Sequence, residues 1–249
     1  MTSFEIKFSK KFEVENLDFS KTLVIVPSYN EAMNIERAIN NLLKIKNINF
    51  IIIDDCYTDN TEEILKNKNW NYIRNSKNLH LAKSFKVGIQ YAIDNNYKYV
   101  IQFDGDGQHD SSAIPEMIYY ASKGYDIVLA SRYLNDSVNI TTNKKLAHKI
   151  LRAVFFIKTF KTISDPTCGL RLYNWQAMEL LLKNKKLEPE LSTIAYFIKK
   201  EKMKIKEIST IVYERDYGES KFKNKWKIFS YMNQQFWGTL FLPKRIKNE

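Results

Sequence analysis

The chain has two cysteines in 249 residues, Cys56 and Cys168, which excludes a disulfide framework and a self-sufficient zinc site. Both read as small buried residues of a reducing compartment. No stretch reaches the roughly 18 apolar residues of a membrane-spanning helix. Residues 1–20 mix Glu, Lys and Asp with Phe where a signal peptide would carry an apolar core. There is no G-x-G-x-x-G after the first apolar run and no P-loop, which removes the dinucleotide-binding and P-loop NTPase classes. Internal repeats, low-complexity linkers and RNA- or DNA-binding motifs are also missing. Acid is in deficit: 39 Lys and Arg stand against 28 Asp and Glu, a formal net charge of +11. That sign suits nucleic acid, an anionic membrane surface or anionic substrates, and does not choose among them.

What is present supports a globular core, with 44% hydrophobic and 14% aromatic residues. Short β-rich runs at 22–26, 50–53, 70–73, 97–103 and 126–130 alternate with helical patterns. The first helix is expected to bury Ile35, Ala38, Ile39, Leu42 and Leu43, and Asp59 with Glu62 has the spacing of a capping box for the second. Residues 82–95 and 114–121 read as the third and fourth helices. Strands alternating with helices predict an α/β fold with a doubly wound, mostly parallel sheet, whose ligands sit beyond the carboxyl ends of the strands. Tyr29-Asn30-Glu31, Asp54-Asp55, Asp104-Gly105-Asp106 and Ser131-Arg132 all fall at those ends. One strand-end aspartate is usually a helix cap; four polar strand ends in succession predict one site.

The run at 97–103 leads into Asp104 and Asp106. In an extended chain these side chains point to one side, and two carboxylates so close call for a cation. A hard divalent ion such as Mg²⁺ uses one or two carboxylates together with substrate phosphates. Taken alone, D-G-D also fits a plain turn. Further on, 135–145 reads as a long loop, 143–160 as a basic helix, and 165–171 as a turn into a strand at 170–173. Residues 175–182 and 190–200 read as helices and 204–212 as a strand. Residues 214–221 mix cations with Gly and Ser, and fit a phosphate-clamping loop or a solvated turn equally. The tail sets Trp226, Phe229, Tyr231, Phe236, Trp237 and Phe241 among lysines, which suits a membrane interface; a packed helix and a dimer contact are the alternatives.

In order, VIVPSYNE, IIDDCYTDNT, QFDGDGQHD, LASRY, DPTCGLRLYN and RDYGESK resemble the family 2 glycosyltransferases of GT-A fold, from residue 24 to roughly 223. QFDGDGQHD, SRY and R-x-x-G-x-S-K are most similar to the branch of dolichyl-phosphate mannose synthase and bacterial polyprenyl-phosphate sugar transferases. The resemblance implies a single Rossmann-like domain at 21–223, with a nucleotide-sugar half (21–133) and an acceptor half (134–223). An N-terminal extension (1–20) precedes it, and a basic, aromatic, amphipathic helical tail (224–249) follows. It implies an inverting, metal-dependent hexosyltransferase (EC 2.4) of cell-envelope polysaccharide synthesis. The donor would be UDP- or GDP-linked and the acceptor membrane-borne: polyprenyl phosphate first, a hydroxyl of a lipid-linked or surface polysaccharide second.

Pro27, Tyr29, Glu31 and Asp54, with Asp55 supporting, would hold base and ribose, as the resemblance implies. Asp104, Asp106 and Gln108 would bind Mg²⁺ or Mn²⁺. Arg215, Ser220 and Lys221 would close over the diphosphate, and Arg132, Lys144 and Arg171 would meet the acceptor. Asp106, Asp165 and Arg215 carry the catalytic expectation. Asp165, with Glu190 behind it, would be the general base for a hydroxyl acceptor; a phosphate is already ionised and needs none. The chain departs from the family's pattern at His80 and Ala82, where glycines are usual, and at Cys56-Tyr57, where Gly-Ser is common. Lys144 and His148 stand where the mannose synthases carry Arg and Ser. The expected location is cytoplasmic, peripheral on the inner face of the cell membrane, with an integral-membrane protein as candidate partner and no nucleic acid. The reading from another class is a catalytically inactive nucleotide-sugar-binding protein. Nucleotidyl transfer is set aside, since PSYNE is not a Gly-rich, cationic loop.

Overall fold

Val24, Ile25 and Val26 are fully buried because the strand that holds them, β1 (Thr22–Ser28), lies inside the sheet. It pairs in parallel with β2 (Asn49–Asp54) on one side and with β4 (Tyr99–Gln102) on the other. The computed structural model describes residues 17–134, 142–214, 217 and 225–243. Its seven-stranded sheet has the order β3-β2-β1-β4-β6-β5-β7, where β3 is Tyr72–Arg74, β5 Ile127–Ser131, β6 Arg171–Asn174 and β7 Ile205–Ser209. Only β6 among these runs against its neighbours, antiparallel to both β4 and β5. Strands covered on both faces read as unbroken apolar runs, which is why β1, β2 and β5 show in the sequence without alternation.

Helices α1 (Ile35–Leu42), α2 (Thr61–Asn67) and α4 (Ile114–Ser122) bury Ile35, Ile39, Leu65, Ile114 and Met117 in one core layer. On the other side α3 (His80–Asp94), α5 (Thr142–Thr159), α6 (Trp175–Lys183) and α7 (Leu191–Glu201) bury Phe85, Ile89, Phe155, Leu181 and Phe197. Gly88 brings α3 close to β1, since a Cβ there would lie 2.4 Å from Cγ2 of Ile25. The last helix, α8 (Lys225–Leu240), packs against α5 and α7. No helix among the described residues is long and apolar enough to cross a membrane.

Several local expectations shift. β4 ends at Gln102 and Gly105-Asp106 form a turn, so strand alternation does not govern Asp104 and Asp106. Leu43 lies just past the end of α1 and is 51% exposed. Asp59 does serve the start of α2, accepting from the Thr61 amide at 3.1 Å and its hydroxyl at 2.6 Å. Glu62 instead pairs with Lys66 and Arg74, so no capping box closes. The third strand begins two residues late, at Tyr72, and the third helix two early, at His80. Cys168 is buried, but Cys56 is half-exposed. Of the loop expected over 135–145, residues 135–141 lie outside the described residues, and α5 already begins at Thr142.

Candidate active site

The loops after β1 and β2 are tied to each other. Asn30, in left-handed backbone at φ 54°, donates through Nδ2 to the Thr58 hydroxyl at 2.8 Å and accepts from the Thr58 amide at 2.8 Å. The Ala32 amide donates to Asp59 Oδ2 at 3.2 Å. Pro27 is buried within β1 and Tyr29 is 38% exposed beyond its end. Glu31 accepts from Asn34 Nδ2 at 2.7 Å. Asp54 is inaccessible; its Oδ1 accepts from the Tyr57 amide at 2.9 Å, and its Oδ2 lies 3.5 Å from Arg74 Nη1.

Asp55 behaves differently from its neighbour. Its Oδ1 accepts from the Leu79 amide at 2.7 Å and from Asn75 Nδ2 at 3.0 Å, and its Oδ2 from the His80 amide at 2.8 Å. Burial pushes this carboxyl up, but the backbone and side-chain donors outweigh it and hold it below the usual carboxylate range. Asp55 therefore fastens the first turn of α3. Two of the three departures from the family's glycines are accounted for here: Cys56 has φ 67° and His80 φ 66°, a backbone that glycine adopts freely, whereas Ala82 lies within α3. Cys56→Gly is expected to stabilise the protein by about 0.5–1 kcal/mol, a rise in Tm of roughly 1–4 °C by thermal denaturation.

After β4, Asp104, Asp106 and Gln108 stand half-buried on one turn. Gly107 takes φ 74°, and a Cβ on Gly105 would lie 2.8 Å from the Ser28 hydroxyl, so this turn sits tightly on the end of β1. Asp106 Oδ1 accepts from the Gln108 amide at 3.1 Å. His109 braces the turn: its Nε2 lies 3.3 Å from Asp104 Oδ2, its ring stands edge-on to Phe103, and its carbonyl accepts from Asn41 Nδ2 at 2.8 Å. From across the sheet, Gly169 approaches so closely that a Cβ would lie 3.1 Å from Asp104 Oδ2. The segment after β7 also crosses this turn. Val212 bridges to His109, the Tyr213 amide donates to Gln108 O at 2.9 Å, and Asn34 Nδ2 donates to Tyr217 O at 3.2 Å. Arg215, Ser220 and Lys221 themselves lie outside the described residues.

The donor set of this turn is hard: two carboxylates and a primary amide. No group of three His, Cys, Asp or Glu among the described residues gathers into a metal site. Two carboxylates on one turn suit a cation that completes its shell with water and ligand phosphates, the habit of Mg²⁺, so the residues fit the ion that the resemblance implies.

At the end of β5, Arg132 donates to Asp165 twice, Nε to Oδ2 at 2.7 Å and Nη2 to Oδ1 at 2.8 Å, and Nη2 also reaches the Thr167 hydroxyl at 2.7 Å. The Asp165 side chain is fully buried and that of Arg132 is 27% exposed. Burial pushes the Asp165 carboxyl up, but the hydrogen bonds and charge of Arg132 outweigh it and hold it below its usual range. Asp165 is thus held ionised against Arg132, and it aims that side chain. Arg171 is also displaced from its expected role. It is 4% exposed and donates to the carbonyls of Cys168 (2.7 Å) and Pro189, fixing the 165–170 loop to the approach of α7. Burial pushes the Cys168 thiol up to about 12, which makes it inert. The Lys144 side chain lies outside the described residues.

The sequence marked His148 but gave no role to Tyr133, Thr167 or Glu207. Tyr133 stands under the Arg132 guanidinium and edge-on to His148, whose Nε2 lies 3.3 Å from the Thr167 hydroxyl. Glu207 on β7 accepts from the Ser164 amide and hydroxyl and from the Asp165 amide, and so sets the loop that holds Asp165. An acid in the middle of a predicted strand was the available signal for Glu207.

Residues 23–181 match the profile of Glycosyl transferase family 2. The chain is 30% identical over 229 residues to the dolichol-phosphate mannosyltransferase of Pyrococcus furiosus, covering 85% of this chain and 62% of that protein. It is 28% identical to the UDP-N-acetylglucosamine–dolichyl-phosphate N-acetylglucosaminyltransferase of Methanococcus voltae, over 74% of this chain and 82% of that one. Its fold, GT-A, is similar to that of glucosyl-3-phosphoglycerate synthase of Mycobacterium tuberculosis, solved with Mn²⁺, UDP-glucose and phosphoglyceric acid. The TM-score is 0.65 at 12% identity, covering 94% of this chain and 84% of that one.

Proposed function

The chain belongs to glycosyl transferase family 2 and is a glycosyltransferase; from that premise we propose that it transfers a hexose, with inversion, from a UDP- or GDP-linked donor to polyprenyl phosphate. The observation that carries the choice of acceptor is the pairing of Asp165 with Arg132. A hydroxyl acceptor must lose a proton to a base, and the buried carboxylate beside Arg132 is held ionised and doubly hydrogen-bonded. A phosphate acceptor needs a cation instead, and Arg132 keeps Nη1, which neither Asp165 nor Thr167 uses. The relatives' names point the same way, since both act on dolichyl phosphate.

In this reading Tyr29 and Glu31, with Pro27 shaping the wall, hold the nucleoside, while the inaccessible Asp54 sets the turn after β2 through the Tyr57 amide and Asp55 sets the turn of α3 beside it. Arg132 holds the acceptor phosphate, with Lys144 as a second cation. An oxygen of that phosphate attacks the anomeric carbon, and the bond from that carbon to the donor diphosphate breaks. The electron pair leaves with the nucleoside diphosphate, and one displacement inverts the centre. Arg215, Ser220 and Lys221 close over the diphosphate; this agrees with the course of 212–214 and Tyr217 against Gln108 and α1. Asp104, Asp106 and Gln108 would hold Mg²⁺ or Mn²⁺, which when bound neutralises the charge gathering on the departing diphosphate.

The test gives the full chain UDP-glucose, UDP-N-acetylglucosamine and GDP-mannose, each with a short polyprenyl phosphate or the matching polyprenol. Product on the phosphate and none on the alcohol is expected. Product on the alcohol, or on a polysaccharide hydroxyl, would overturn the assignment of acceptor.

A further inference from the structure

Asn34 stands at the N-cap of α1, where an asparagine side chain ordinarily accepts from an amide of the first turn. Here it makes no such bond. Its Nδ2 donates instead to Glu31 Oε2 at 2.7 Å and to the Tyr217 carbonyl at 3.2 Å. Both partners are acceptors, which turns the nitrogen of the amide towards them. Asn34 is buried, and its Oδ1 has no partner among the described residues. A residue that forgoes its cap and buries an unpaired oxygen does not serve stability. Arg37, one turn further along, reaches the same segment. Its Nη2 donates to the Glu214 carbonyl at 3.3 Å, and its guanidinium stands over the Tyr213 ring, 5.6 Å from the centroid. Positions 34 and 37 are neighbours on one helix face. They also rest on the Asp104–Gln108 turn, since a Cβ on Gly107 would lie 3.4 Å from Arg37 Cδ and 3.6 Å from the Asn34 carbonyl.

An arginine over a tyrosine is common and adds little by itself, and one hydrogen bond to a loop carbonyl is ordinary packing. Here the two carbonyls that α1 holds, Glu214 and Tyr217, flank Arg215 in sequence. We propose that Asn34 and Arg37 are positioning residues of the transfer reaction, seating the segment after β7 on the Asp104–Gln108 turn so that Arg215 is presented to the donor diphosphate. This rests on the proposed function, in which Glu31 holds the nucleoside and Arg215 the diphosphate. The amide of Asn34 bonds Glu31 and Tyr217 together. The two ends of the donor are therefore gripped by one joined unit, and the acceptor is not.

The experiment pairs hydrogen exchange, which needs no substrate, with steady-state kinetics of the full chain. The reporter is the Tyr213 amide, bonded to the Gln108 carbonyl. Its exchange is expected to quicken on the order of tenfold in Arg37→Ala and in Asn34→Ser. Arg37 is half-exposed, and serine can still cap α1 while being too short to join Glu31 to Tyr217, so Tm should hold in both. In the same variants kcat/KM for the donor should fall on the order of tenfold, with KM for the acceptor unchanged. That loss should vanish in an Arg215→Ala background, where nothing is left to position. Glu36→Ala, on the same helix but paired with Lys68 at the end of α2, should leave exchange and kinetics as they are. Wild-type exchange at Tyr213 in both variants, or an undiminished further loss on top of Arg215→Ala, would overturn the proposal. So would an acceptor KM that rises as the donor's kcat/KM falls. Exchange that quickens as expected in a chain whose wild type makes no product from any nucleotide sugar would overturn the proposed function and leave the seating by α1 standing.

Discussion

Asp106→Ala is expected to lower transfer by at least about 10³-fold, close to 4 kcal/mol of transition-state stabilisation, and to leave the fold intact. The side chain is half-buried on a turn, and its hydrogen bond to the Gln108 amide is a local one. Tm should therefore stay within the range of a surface change, roughly ±0.5 kcal/mol. The measurement is kcat/KM with a saturating divalent ion and whichever donor the panel identifies, and Asp104→Ala should behave alike. A variant retaining a tenth of the wild-type rate would place this carboxylate away from the departing diphosphate.

Asp165→Asn is expected to be the most destabilising single polar change in the site. Breaking a buried ion pair while leaving one charge behind costs about 3 kcal/mol or more, a fall in Tm of roughly 6–12 °C for a chain of this size. The pair's stabilisation depends on pH in a definite direction. Because the folded carboxyl is held below its ordinary 3.8, the unfolded chain binds the proton more readily. The contribution is complete above the ordinary value and disappears as pH falls through the folded one. The stability gap between wild type and Asp165→Asn, measured by urea unfolding, should be full at neutral pH and shrink below about pH 4. The kinetic signature separates a positioning residue from a base. A disoriented Arg132 raises KM for the phosphate acceptor and leaves KM for the donor alone. Loss of a base would instead lower kcat at unchanged KM, with a greater effect on hydroxyl acceptors.

Much of this was legible in the chain. Strands β1, β2 and β5 are unbroken apolar runs, α3 has a clean helical face, and the four polar strand ends do line one edge of the sheet. What escaped depends on partners distant in sequence. Asp54 and Asp55 are adjacent and chemically identical; one faces Arg74 and the other fastens the start of α3. Asp165 was expected as a base, and nothing local in the sequence shows that Arg132, 33 residues earlier, holds it. Arg171 was expected, from the resemblance, to meet the acceptor. Two carbonyls from different segments make its burial tolerable, and no local pattern reports that. The non-glycine residues at positions 56 and 80 were visible as departures, and their left-handed backbone supplies the reason glycine is usual there.

The reversed strand β6 bears on the order in which the protein can be made. β5, within the stretch expected to bind the nucleotide sugar, has as its sheet neighbours β6 and β7, both from later sequence, and β4 has one edge filled by β6. While residues up to 134 have left the ribosome and 171–209 have not, β4 shows a bare apolar edge and β5 has nothing to pair with. Such edges are templates for aggregation. The stretches before and after residue 134 are thus not modules that recombination could shuffle separately; the first inherited without the second would lack the strands that close its own sheet.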